Sequence, residues 1–190
     1  MLTDRPPLQM ARLREFAHSD QLGVLELPPC DRLRAPARAI EATMKSGQAA
    51  AVRQPCEEFL SAASDFYRVR KPQFRLLAAR PLRVREGGWA TELFGDYHPE
   101  TKLIRVWMRT AVRKQVTSYG TFLSTLCHEF CHHLDYELLG LRDSPHTRGF
   151  YERGALLYHH ARGTPLKRLF WKAAAGERWR IDWARTNRGG

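Results

Sequence analysis

Between residues 57 and 69 the apolar side chains Phe59, Leu60, Ala63, Phe66 and Tyr67 recur every three or four positions. That spacing predicts an amphipathic helix, stopped before Pro72, with a shorter helical stretch ahead of it at residues 39–44. The period then drops to two. "QFRLLAA" and "LRVRE" read as short strands, broken at Pro81 and ended by Gly87 and Gly88. Two further β-rich runs, 90–97 and 102–108, flank the turn-like "HPET", and Leu103, Arg105 and Trp107 alternate with Ile104, Val106 and Met108. Such alternation suits a strand covered on one face by helices, so a small antiparallel sheet is expected between helical segments.

A second helical pattern follows. Ser118 is a candidate N-cap, Gly140 a candidate left-handed terminator, and no proline lies between them. The span predicts a helix of about six turns. On it Leu126 and Phe130, extended by Phe122, form an apolar stripe opposite His128 and His132. "GLRDSPHTRGFYERGALLYHH" then reads as a turn-rich loop leading into another amphipathic helix. Ahead of all these elements, residues 1–37 are rich in proline, with "LPPCDRLRAP" as the clearest breaker, and predict an irregular N-terminal arm. The chain is therefore expected to divide into that arm, an α+β domain at 38–163, and a basic, aromatic tail at 164–190.

Composition narrows the class. In 190 residues, 43% of them hydrophobic, there is enough apolar surface for one core. The four cysteines contain no CxxC pair, which argues against a zinc ribbon or a secreted disulfide framework. The opening "MLTDRPPLQMARLREF" has no apolar stretch after its charges, and nowhere do about eighteen apolar residues run together. A cytoplasmic protein with no membrane contact is expected. The net charge of +11 favours acidic or phosphate-rich partners, or else gives a solvated basic surface.

The histidine face of the second pattern carries the chemistry. "HEFCH" is His-Glu-x-x-His, and residues four apart on a helix stand one turn apart on one face. His128 and His132 can therefore offer imidazole nitrogens to one zinc ion at about 2.0–2.1 Å. Glu129 is rotated about 100° from His128, too far to ligate tightly alongside them, yet near enough to act as general base on a water at the metal. A catalytic zinc needs a third protein ligand and an open fourth position. His146, in the loop just after Pro145, is the first candidate, and Glu152, twenty residues after His132, is its competitor. Asp135 lies one turn beyond His132 and reads as a solvated carboxylate, with support of a ligand as its alternative role. His133 points away from the pair, and His159 and His160 read as surface residues at a helix end. Tyr97, His98 and Tyr151 have the chemistry to stabilise an oxyanion.

The stretch "HEFCHHLDYELLG…DSPHTRGFYER" resembles the SprT-like zinc metallopeptidases, whose His-Glu-x-Cys-His helix is followed by a loop histidine and, a few residues later, an aromatic, here His146 and Phe150. The likeness covers residues 118–161. It implies a minigluzincin-like core, with an N-terminal helix, a small antiparallel sheet, the HExxH helix and a following helix. It implies zinc on His128, His132 and His146, Glu129 as catalytic base, and Cys131 in a packing position. The activity implied is hydrolysis of peptide bonds in protein or peptide substrates, including proteins crosslinked to DNA in the best-known members. Metzincins are excluded, because Asp135 and Leu138 stand where that family has a glycine and a third histidine. The cysteine-rich ribbon that often follows the SprT-like domain is also missing.

A second function class stays open. Residues 161–190 carry eight basic and two acidic side chains interleaved with Phe170, Trp171, Trp179 and Trp183. Aromatics beside cations suit single-stranded DNA or RNA. On that reading the chain is a non-catalytic, zinc-containing nucleic-acid-binding module. If the aromatics instead pack back on the domain, the stacking surface is lost.

Overall fold

Leu33, Ala37, Ile40 and Met44 fall four, three and four residues apart and are all buried, one continuous stripe of helix α2 (Cys30–Met44). The computed structural model, which describes residues 1–84 and 90–189, thus starts this helix inside the segment expected to be an irregular arm. The prolines misdirect here. Pro29 takes the N-cap position, where no helical N–H is needed, and Pro36 sits inside the helix on a partly exposed face. Pro36 cannot donate to the Arg32 carbonyl, and burial of the stripe outweighs that loss. The arm holds a further helix, α1 (Met10–Gln21), packed against a later helix, so residues 1–37 are largely helical and no boundary falls at 37.

Helix α3 (Ala49–Tyr67) buries Val52, Cys56, Phe59, Leu60, Ala63 and Tyr67, and starts eight residues before the periodic run that predicts it. It ends where Arg68 turns left-handed at φ 55°, ahead of Pro72. Then come β1 (Gln73–Ala79), β2 (Leu82–Val84), β3 (Ala90–Glu92), β4 (Gly95–His98) and β5 (Leu103–Arg109). The expected end of a strand at Gly87 and Gly88 lies outside the described residues. The run at 90–97 is divided, since β3 pairs with β2 while β4 forms the hairpin with β5 across the "HPET" turn.

The main sheet has the order β1-β5-β4, and it is mixed, not antiparallel. β4 runs antiparallel to β5, but β1 pairs with β5 in parallel, Phe74 opposite Ile104 and Leu76 opposite Val106. The hydrophobic period gives a strand's faces but carries no direction, and here the chain passes through β2, β3 and β4 before it reaches β5. Ile104, Val106 and Met108 are buried as the alternation predicts. They face helix α4 (Tyr119–Glu137), which packs on β4, β5 and helix α5 (Arg148–Arg162). The fold is α+β, with α2, α3, α4 and α5 around one core.

The tail is also folded. It forms the hairpin β6 (Trp171–Ala174) and β7 (Arg178–Ile181) and a short helix α6 (Trp183–Arg188), and Leu2 bridges to Arg180 on the hairpin's edge. Among the described residues no helix is long and apolar enough to cross a membrane.

Candidate metal centre

Helix α4 begins as its sequence suggests, with the Ser118 hydroxyl accepting from the Thr121 N–H at 3.2 Å. Its far end is closed by Gly140 at φ 70°, which lets the Leu141 N–H return to the Asp135 carbonyl at 2.8 Å. Phe122, Leu126 and Phe130 enter the core, which turns His128 and His132 outward. Helix α5 is capped by Thr147, whose hydroxyl accepts from the Phe150 N–H at 3.1 Å and pairs with Ser19 at 2.9 Å. This cap fixes the residue before it, His146, at the mouth of α5.

The structure brings His128, His132 and His146 together. The Nε2 atom of His146 lies 3.1 Å from Nε2 of His128 and 3.2 Å from Nε2 of His132. One imidazole nitrogen carries a single proton or a single lone pair, so His146 cannot satisfy both neighbours by hydrogen bonding. A shared cation would do so. Four ligands at zinc–nitrogen lengths of about 2.0–2.1 Å stand about 3.3 Å apart on a tetrahedron, close to the spacing observed. The three side chains are close enough to bind one metal ion. Burial first, and then the His146 charge, lower the pKa of His128 to about 3, and burial with the neighbouring histidines holds His132 well below its usual value. Both rings are neutral, as ligation requires. Phe150, fully buried, packs behind all three rings at centroid distances of 4.8, 4.5 and 5.1 Å.

Two supports set the tautomers. Ser144 donates to Asp135 Oδ2 at 2.9 Å, so its oxygen accepts from Nδ1–H of His132 at 2.7 Å and leaves the Nε2 lone pair facing the cluster. Asp135 is fully buried and bonded to the equally buried Arg153 at 2.8 Å, which corrects the expectation of a solvated carboxylate. Arg153 also donates to the carbonyls of Ser19 and Leu22 at the end of α1. The second support is Asp4, whose Oδ2 lies 3.2 Å from His146 Nδ1 and accepts from its backbone N–H at 2.9 Å. Neither Ser144, Arg153 nor Asp4 has a local sequence signature. Asp4 is separated from its partner by 142 residues.

Glu129 is 5% exposed, and burial first, with the Asp96 carboxylate second, raises its pKa to about 8. A cation beside it would favour the ionised form. Strand β4 crosses it at Gly95, where a Cβ atom would stand 2.8 Å from Glu129 Oε1 and 2.7 Å from the Thr125 methyl. Glycine is what allows the sheet edge this close. His128 and Glu129 open together into a cavity of about 910 Å³ that continues past Tyr158 to Arg162, with Leu169, Ile181 and Trp183 of the tail along one wall.

Other expected residues lie elsewhere. Glu152 accepts from the Trp171 indole N–H at 3.1 Å and is not among the residues gathered at the cluster. Tyr97 donates to His133 Nδ1 at 3.0 Å, while His133 Nε2 donates to the Arg70 carbonyl at 2.7 Å, so both are committed in the interior. His98 sits beside Asp96. Tyr151 stacks on the His146 ring at 5.8 Å and donates to the Leu2 carbonyl at 3.1 Å. Cys127 and Cys131 are buried in the core. Of the tail aromatics, Trp171 packs on Tyr151, Arg148 lies over Trp179, and Phe170 has Arg185 over its ring, while Trp183 is 45% exposed. No protein-family model, curated protein or solved structure matches the chain.

Proposed function

We propose that the protein is a zinc-dependent metallopeptidase with a minigluzincin-type, SprT-like site, hydrolysing peptide bonds in protein substrates. The observation that carries this reading is the meeting of the His128, His132 and His146 Nε2 atoms at 3.1 and 3.2 Å, with Glu129 one position along the same helix. The three histidines would hold the ion. Zinc bound there supplies a Lewis acid that polarises a carbonyl and acidifies water. Glu129 would take the proton of the attacking water and deliver it to the leaving amine.

The sheet edge orients the substrate. Among the described strands β4 pairs with β5 on one side only, and Gly95 brings that edge against Glu129. An extended peptide can add to it as a further strand, its side chains alternating between the two faces of the sheet. Elemental analysis after dialysis is expected to find about one zinc per chain. Glu129→Gln keeps the size of the side chain but removes the base, so it should retain zinc while hydrolysis of a denatured protein substrate such as casein falls by about 10²–10⁴-fold. A chain that neither holds nor takes up zinc overturns the proposal, as does a Glu129→Gln variant that cleaves at the parent rate.

The alternative, a zinc-containing module that binds DNA or RNA, is favoured by the tail's charge. The packing of Trp171 and Trp179 weakens its stacking component and leaves contacts to phosphate.

A further inference from the structure

The metal cluster of the proposed peptidase draws on a part of the chain far from its helices. Residues 1–3 run beside β7, joined to it by an isolated bridge between Leu2 and Arg180. The Thr3 N–H donates to the Trp179 carbonyl at 2.8 Å, the Trp179 N–H returns to the Thr3 hydroxyl at 2.8 Å, and the Ile181 N–H donates to the Met1 carbonyl at 3.2 Å. Thr3 is 3% exposed, so its two bonds to Trp179 are shielded from water. The next residue is Asp4. Its backbone N–H donates to the His146 carbonyl at 2.9 Å while its carboxylate takes both N–H groups of the same histidine, at 2.9 and 3.2 Å.

Asp4 thus grips His146 at three points, and the C-terminal hairpin holds Asp4 in place. We propose that Asp4 is a positioning residue for the third metal ligand, and that the β6–β7 hairpin sets metal affinity through it. The inference rests on the metal-site reading above. The physical reason is the loop. His128 and His132 are fixed by the helix that carries them, whereas His146 precedes α5, and its ring needs an outside partner to settle the Nδ1–H tautomer and the ring plane. A carboxylate does both, and it also makes the ring a stronger donor to a cation. The hairpin matters because without that anchor the ordering cost of placing Asp4 would fall on each binding event.

The test measures zinc affinity by chelator competition on the full chain, alongside the thermal midpoint of the chelator-stripped protein. Asp4→Ala is expected to lose about 10–100-fold in zinc affinity. Asp4→Asn keeps an acceptor oxygen for both N–H groups and is expected to recover part of that loss, which a change in general packing would not give. Thr3→Pro removes the N–H that binds Trp179 and should weaken zinc in the same direction. The double variant should be no weaker than Asp4→Ala alone, because both changes act through one contact. Wild-type affinity in Asp4→Ala overturns the proposal, and so do additive losses in the double variant or a zinc loss that only follows the stripped protein's midpoint. If the parent chain itself binds no zinc, the metal-site reading falls and this inference with it, an outcome separable from the others.

Discussion

His132 and His146 face one point from two kinds of surroundings. His132 is held by Ser144, Asp135 and Arg153, a relay whose last two members are 0% and 1% exposed and whose far end grips the carbonyls that finish α1. His146 is held by Asp4, whose side chain is 53% exposed and which lies 142 residues away along the chain. The difference lies in what else each support does. The buried relay fastens α1, α4 and α5 together, so it cannot be removed without cost to the fold. The exposed support joins Asp4 to the loop of His146 outside the buried core. One cluster therefore holds one imidazole through the core and another through its periphery.

The largest effect should come from breaking the buried side. Asp135→Ala leaves Arg153 charged and unpaired in the interior, and is expected to cost about 3–5 kcal/mol of stability in denaturant unfolding. A loss below about 1 kcal/mol would mean that the relay carries little of the fold. Ser144→Ala should come next, since it cuts the relay at its last link and leaves the helices tied by the ion pair. Zinc affinity should fall by about 10–100-fold with only a small change in the stripped protein's stability, which makes Ser144 the buried counterpart of Asp4. The smallest effect on the metal is expected from Glu152→Ala, because that carboxylate is occupied with the Trp171 indole. Its zinc should survive chelator concentrations that strip His146→Ala, and the opposite order would move the third ligand to Glu152.

The parts of the cluster also differ in how far the amino-acid sequence reveals them. The HExxH helix, its Ser118 cap, its Gly140 terminator and the loop position of His146 are all legible, since caps, breakers and a four-residue spacing are local properties. The α+β class follows from the change of period alone. The parallel pairing of β1 with β5 does not, because side-chain alternation is the same in either direction. The α2 stripe from Leu33 to Met44 is present in the sequence, yet the prolines around it point the other way, and only burial decides between them. The supports are least legible. Asp135 to Ser144 is a short step across a turn, but nothing near Asp4 indicates His146, or near Thr3 indicates Trp179.

The contact of residues 1–3 with β7 has a consequence for biosynthesis. On a growing polypeptide, α4 and its two histidines are complete once residue 137 has been made, and α5 soon after. The clasp on His146 must wait until residues 178–181 are made and have folded back beside Leu2 and Thr3. On the proposed reading, an ion captured before that moment would meet two oriented imidazoles and a third without its anchor. The hairpin that anchors Asp4 is thus made after all three histidines, and a chain halted between the two would carry the cluster without that anchor.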